Sequence, residues 1–373
     1  METFEHLTIN SDGNYRLKIS YYIARSIGFR TFLLRIILLI SFLYAFPLYA
    51  SALSSTQTIV PQEPVYVGKV IVKNNDIYLL CNDERAVILM NKKGEILKRF
   101  GRKGEGPGEF LYLSDFTICK NRLIMGGGKR INIFSTSGQF LESINTKNTV
   151  YKVFSSDTDW FYVVKQSTRM NNNLINLEFS IYNSGNECIH TFPDETLQQA
   201  YHPKTGNKLP FPWFPTPFCN RPFFLDGGER KVAIFMARRK NFYYIADNQL
   251  EKKKLDIAFQ EEKVTPKDLD SFFEKVSPKP DARTIKSVVY PDSKQFFIGA
   301  FRWDDGWALV TEKLFIIIDG DGHFRETISL PEPLVKNIRD NGYSDGMLFK
   351  AKELYCIKDN EEVLVFSHLY GKH

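Results

Sequence analysis

An all-β chain of six four-stranded antiparallel blades is what the sequence predicts, and three observations carry the prediction. A hydrophobic run closed by a turn glycine recurs at Val87 to Gly94, Ile131 to Gly138, Phe179 to Gly185 and Phe315 to Gly322. The steps are regular: Gly94 to Gly138 spans 44 residues, Gly138 to Gly185 spans 47, and Gly185 to Gly322 spans 137, close to three more steps. A degenerate copy, Phe242 to Asn248, lies within that last interval. A period in the forties with four short strands per unit marks a β-propeller, because a lone four-stranded sheet cannot bury both faces and must stack on its neighbours.

In chain order, residues 1 to 30 are polar and mildly basic, without periodicity. Ile36 to Phe46 then runs apolar except for Ser41, between Arg35 and Pro47. That run is short of the roughly 20 residues of a bilayer span. It suits a signal-peptide h-region, with Ala50, Ser51 and Ala52 as a small-residue cleavage site. Residues 1–52 are therefore expected to be a leader, either a signal peptide or an uncleaved signal anchor, and 53–373 the propeller. The first alternative exports the protein to the periplasm, cell surface or medium; the second tethers it to the membrane. No cysteine follows the h-region, which argues against a lipoprotein anchor.

The formal net charge is +6, and cleavage after Ala52 would remove five basic and three acidic residues. So modest a balance does not call for nucleic acid as a partner. With 43% hydrophobic and 14% aromatic residues the chain has the material for one large core.

Thr58 to Tyr66 precedes the first unit, and its Pro61 and Pro64 fit only an edge strand. The last unit, running from Met347 through Leu354 to Ile357 and Val363 to Phe366, has three strands. Thr58 to Tyr66 is expected to supply its outer strand and so close the ring. Arg99 to Leu141 shows one whole unit. Gly101, Gly104, Gly106 and Gly108 around Pro107 make a surface loop. Leu113 to Cys119, Arg122 to Met125, Arg130 to Phe134 and Gln139 to Ile144 follow as strands, separated by Lys120–Asn121, Gly126 to Gly128 and Ser137–Gly138.

Two insertions interrupt the repeat. The first, about 192–222, carries alternating prolines and aromatics around Trp213 and Phe214, which favour an extended backbone. Its rings either fold onto sheet edges or display a ligand platform. The second, about 258–290, opens with Thr265, Pro266, Lys267 and Asp268, a helix N-cap signal. Leu269, Phe272, Phe273 and Val276 follow at helical spacing, so a short amphipathic helix is expected.

Phe100 to Phe110, Leu123 to Met125, Arg130 to Phe134 and Gly138 to Phe140 together resemble the NHL repeat, and the chain is similar to the six-bladed propellers of secreted Bacteroidota proteins. The match is close in the first two blades and weak from Tyr151 onward. One departure is that Gly126 stands where an acidic residue usually follows the second strand. The resemblance implies an interaction role, as in most such propellers, with lyases and lactonases as a minority; it carries over no catalytic residue.

The glycine loop lacks the Gly-Lys-Ser/Thr of a phosphate loop and leads into no helix, so it reads as a blade connector. Asp319 to Gly322 imitates the start of a calcium loop, but the twelfth position is Leu330 and a hairpin turn is preferred. No Gly-x-Ser-x-Gly, His-Glu-x-x-His or paired Cys-x-x-Cys occurs. No cofactor is predicted, and calcium or zinc stays open. Cys81, Cys119 and Cys356, set among apolar neighbours, are expected to be buried thiols; Cys188 and Cys219 either pair or do not.

In a four-stranded meander the second-to-third turns and the connections to the next blade share one face. That rule gathers Arg102, Lys103, Lys129, Arg130, Arg169, Arg221, Arg238, Arg239 and Lys240 there, with both insertions. The acids placed with them are Asp83, Glu84, Glu105, Glu109 and Glu312, while Asp157, Asp159, Asp304, Asp305, Asp319 and Asp321 fall on the opposite turns. The expected function is non-enzymatic binding at the basic face, through the candidate residues Arg102, Lys103, Lys129, Arg130, Trp213, Phe214, Arg221, Arg238, Arg239 and Lys240. The partner would be a protein, a peptide, or an anionic glycan or lipid headgroup, with no nucleic acid, and the membrane only through an uncleaved leader. A propeller lyase or lactonase, with or without a metal, is the competing class.

Overall fold

The computed structural model describes residues 8–9, 15–16, 54–155, 159–171, 174–192, 198–201, 222–228, 231–246, 249–259, 261–268, 270, 294–330, 335, 347–350, 353–358 and 361–367. The chain divides into two compact units, 1–49 and 50–373. In the first, β1 (Thr8–Ile9) pairs antiparallel with β2 (Tyr15–Arg16). The second is a six-bladed β-propeller, opened by β3 (Ser54–Ile59).

Blade one holds β4 (Val67–Lys73), β5 (Asp76–Cys81), β6 (Ala86–Met90) and β7 (Ile96–Phe100). Blade two holds β8 (Asp115–Cys119), β9 (Arg122–Gly127), β10 (Arg130–Ser135) and β11 (Phe140–Asn145). Blade three holds β12 (Thr149–Ser155), β13 (Phe161–Asn171), β14 (Leu174–Tyr182) and β15 (Cys188–Phe192), with β16 (Gln198–Tyr201) also on β14. Blade four holds β17 (Pro222–Gly228), β18 (Lys231–Met236), β19 (Asn241–Ala246) and β20 (Gln249–Lys254). Blade five holds β21 (Gly299–Trp303), β22 (Gly306–Val310), β23 (Leu314–Ile318) and β24 (Phe324–Ser329). Blade six holds β25 (Met347–Lys350), β26 (Glu353–Lys358) and β27 (Glu362–Ser367), completed by β3.

The middle strands of each blade read as continuous apolar runs because both of their faces are covered by neighbouring blades. β6 and β22 are buried at every position, whereas the outermost β20 and β24 are almost wholly exposed and polar. Burial follows from radial stacking: each of the six joints between blades has its own apolar core. The joint of blades six and one packs Ile59, Val65 and Val70 against Tyr355 and Val365, and that of blades one and two packs Leu80, Phe100 and Phe110 against Phe116 and Phe134.

Closure by the two ends of the propeller is present, but the strand that makes it is earlier than expected. β3 pairs with β27 through Ile59↔Val363, Thr58↔Leu364, Gln57↔Val365 and Thr56↔Phe366. Only Thr58 and Ile59 of the expected Thr58 to Tyr66 lie in the strand. Pro61 and Pro64 fall in the connector to β4, where a missing N–H costs no ladder bond.

Blade three also departs from the four-strand expectation. β13 and β14 run 11 and 9 residues, and β16, part of the first insertion, adds a fifth strand through Leu174↔Tyr201 and Ile175↔Gln199. Trp213, Phe214 and Arg221 of that insertion lie outside the described residues. In the second insertion a helical turn begins at 266 behind a reciprocal cap. Thr265 Oγ1 accepts from the Asp268 N–H at 3.3 Å, and Asp268 Oδ2 accepts from the Thr265 N–H at 2.8 Å. Leu269, Phe272, Phe273 and Val276 lie outside the described residues, as does Ile36 to Phe46 of the leader. No helix among the described residues is long and apolar enough to cross a membrane.

Candidate functional site

The meanders put the second-to-third turns and the blade-to-blade connectors on one face. At the joint of blades one and two the connector is 101–114, and its own chemistry fixes it. Glu109 is the hub: its carboxylate accepts from the Gly106 N–H at 2.8 Å and from Arg102 Nε at 2.7 Å. Donation from Gly106 first, and from Arg102 second, holds its carboxyl below the usual carboxylate range. Gly104, at φ 156°, lies against that same carboxylate, where a Cβ would collide with it. From blade two, Arg130 Nη1 donates to the carbonyls of Glu105 and Gly106 at 2.9 and 3.1 Å. The fully buried Asn132 donates to the Glu109 carbonyl at 3.1 Å. The glycine loop is thus a clamped connector with no phosphate cradle.

The same joint explains Gly126. A Cβ there would come within 2.5 Å of Val150 Cγ1 and 2.9 Å of Val153 Cγ1, and one on Gly127 would strike the Tyr112 carbonyl oxygen. An acidic residue at this position would have to displace blade three. Instead, Asp115 opens β8 and ties three blades. Its carboxylate takes Lys69 Nζ of blade one at 2.7 Å and the Val153 N–H of blade three at 3.1 Å, at 5% exposure.

The candidate cations fall into two groups on non-adjacent blades. Arg102, Lys103, Lys129 and Arg130 cluster where blades one and two meet; Arg238, Arg239 and Lys240 sit on the β18–β19 turn of blade four. Several carry structural duties. Arg102 serves Glu109 and Arg130 serves the connector; Arg239 donates to the Tyr243 hydroxyl at 2.8 Å, and Lys240 lies 5.4 Å over the Phe296 ring. Arg238 is half-buried, while Lys103 and Lys129 are exposed. Among the acids of the opposite face, Asp305 binds Arg325, Asp159 binds Lys120 and Asp321 binds Lys253.

Residue types alone gave no sign of the large apolar residues left exposed on two connectors. Leu111 and Tyr112 are 61% and 58% exposed on the connector into blade two, and Val60 and Tyr66 are 54% and 47% exposed on the connector into blade one. The other exposed large apolar residues, Leu97, Leu141, Ile189, Leu250 and Phe324, sit one or two positions into the outer strand of five successive blades. Those five belong to the repeat; the four on the connectors do not. Inner strands of adjacent blades run in the same direction. The Lys69–Asp115 contact joins β4 to β8, so the connectors that carry Tyr66 and Tyr112 enter adjacent blades on the same face. The available signal was hydrophobic residues stranded among prolines and glycines in connectors.

Among the described residues no group of three or more His, Cys, Asp or Glu is placed to hold a metal ion. Asp319 to Gly322 is the expected hairpin turn. Burial works against ionisation of Asp319, but donation from the His323 N–H and ring and from the Asp321 N–H outweighs it and holds the carboxyl low.

This geometry defines a six-bladed β-propeller with a clamped, loop-bearing face. The profile of a family described as a 6-bladed beta-propeller, DUF5128, matches residues 62–209. A member of the DUF4221 family from Bacteroides vulgatus superposes with a TM-score of 0.50 at 8% identity, over 85% of this chain and 96% of that one. A Bacteroides fragilis protein gives 0.49 at 11% identity over 86% and 96%, and a gluconolactonase of Xanthomonas campestris 0.48 at 9% over 86% and 93%. At such identities the likeness is one of fold. No curated protein matches the sequence.

Proposed function

We propose that this chain is an exported, non-enzymatic binding propeller of the NHL-like type, and that it recognises an anionic partner on its loop-bearing face. The observation that carries the reading is that Leu111 and Tyr112 stand exposed on the connector that also carries Lys103, with the Tyr112 backbone against Gly127, two residues before the exposed Lys129 on the β9–β10 turn. Aromatic and aliphatic side chains left in water at a connector, next to cations, combine the anchors and the charge that binding surfaces use. A protein segment bearing acidic residues fits best, since Leu111 offers an apolar seat that a headgroup or glycan would leave unused. Arg238, Arg239 and Lys240 would form a second, more distant contact. Export rests on the Ile36 to Phe46 run and the Ala50 to Ala52 site.

Crosslinking and affinity capture from the native envelope, comparing parent with a Tyr66→Ser/Tyr112→Ser variant and a Lys103→Ser/Lys129→Ser variant, test the reading. Loss of the same captured acidic protein in both is expected, with salt weakening the parent interaction. Capture unchanged by either variant would remove this face from consideration. Metal analysis of the purified protein tests the competing class: a stoichiometric ion lost together with a measurable activity would replace binding by catalysis.

A further inference from the structure

On the opposite face, where blades one and two meet, the β4–β5, β8–β9 and β10–β11 turns enclose a cleft of about 300 Å3. That is the lower end of the size range of small-molecule sites. Its floor is Leu89 and Tyr78, which are 8% and 4% exposed. The Tyr78 ring packs on Phe100, with centroids 6.3 Å apart. Tyr78 lines the cleft, and its hydroxyl, which makes no hydrogen bond to the described residues, is left to water or a ligand. Burial first, and the charge of Asp76 second, push its pKa up, so the hydroxyl keeps its proton as a donor.

The remaining walls are polar and nearly neutral. The Asp76 carboxylate also lacks a partner among the described residues, and Asn74, Asn121 and Thr136 add amides and a hydroxyl. Both lysines of the cleft are engaged at its rim: Lys73 Nζ donates to the Lys120 carbonyl, and Lys120 Nζ pairs with Asp159 at 2.6 Å. Lys73, bonded to a neutral carbonyl, keeps its charge and offsets that of Asp76, so the cleft has no net charge with which to select an ion. Carboxylate, amide and hydroxyl groups around an apolar floor instead match a ligand with several adjacent hydroxyls and a C–H face.

We propose that this cleft is a saccharide site, taking a mono- or disaccharide unit whose hydroxyls bond Asp76, the Tyr78 hydroxyl and the surrounding amides while its C–H face lies on Leu89. The site is independent of the loop-bearing face and stands or falls separately from it.

Titration calorimetry of the full propeller with glucose, galactose, maltose, cellobiose and chitobiose tests it. At least one sugar should bind. Tyr78→Phe, which keeps the ring and its packing, should weaken that binding about tenfold, as loss of one buried hydrogen bond does. Asp76→Asn should weaken it similarly, and Lys103→Ser/Lys129→Ser on the other face should leave it unchanged. Thermal melts of each variant separate loss of binding from loss of fold. The proposal is overturned if none of the five sugars binds, if binding survives both cleft variants intact, or if inorganic phosphate competes with the sugar.

Discussion

Asp115 is where three blades meet, and it shows how much one side chain can organise. With the carboxylate removed, Lys69 and the Val153 N–H lose their acceptor in a place water reaches poorly. Breaking a buried ion pair from one side typically costs about 3–5 kcal/mol. Asp115→Ala should therefore lower the urea midpoint by the equivalent of about 3 kcal/mol with an unchanged slope. A loss below about 1 kcal/mol would reduce the link to an ordinary surface pair. The cysteines give a second residue-scale expectation. Burial pushes the Cys81 thiol up to about 12 and raises Cys119 and Cys356 as well, while Cys188 is exposed at the start of β15. Thiolate is the reacting form, so alkylation at pH 8 should label Cys188 in the native protein. Cys81, Cys119 and Cys356 should react only in denaturant, as peptide mapping by mass spectrometry would show.

At the scale of elements, the strands and turns were legible because each blade repeats one pattern of apolar run and turn glycine. β6, β10, β14 and β23 all contain the recurring run. What sequence could not give was partnership. The meander rule put Arg102 and Arg130 on the correct face, yet nothing in their spacing told that Glu109 and the connector carbonyls engage them. Nor could it show that Leu111 and Tyr112 remain in water, since exposure depends on neighbours far along the chain. β16 was missed because Gln198 to Tyr201 carries no alternation, and its pairing with β14 is a tertiary choice. The connector supplies the pH prediction at this scale. Glu109's folded pKa lies below its ordinary 4.5, so the unfolded chain takes up the proton first. Its contribution is full above that value and is lost as pH falls through the folded pKa. Glu109→Gln should be less stable than the parent at pH 7, and the difference should shrink towards pH 3. A gap that stayed constant across thermal melts at those two values would place the effect in packing.

Over the whole molecule, stability rests on a ring of six joints, and the ring is only as closed as its last blade. Ties on the face opposite the loops repeat this logic. Lys98 reaches the Ser137 carbonyl and Arg122 the Ser184 carbonyl, while Lys253 pairs with Asp321 and Glu353 with Lys92, each across to the next blade. β3 closes the covalent gap: Ile59 is 2% exposed in the core between blades six and one, and its strand covers the edge of β27. Deleting residues 53–59 would leave β27 as an unpaired edge and open that core to water. In a closed ring the damage cannot stay local, because each blade depends on two neighbours for burial. The expected result is one cooperative transition at a much lower temperature, or no folded protein, whereas removing 1–52 alone should leave the melt unchanged. Restoring the 53–59 segment after a short glycine-serine linker at the C-terminus should recover the parent melt, since the strand pairs with β27 from either direction of connection. If the 53–59 deletion melted like the parent, β3 would be an accessory edge strand and the ring would be held by the other three strands of blade six.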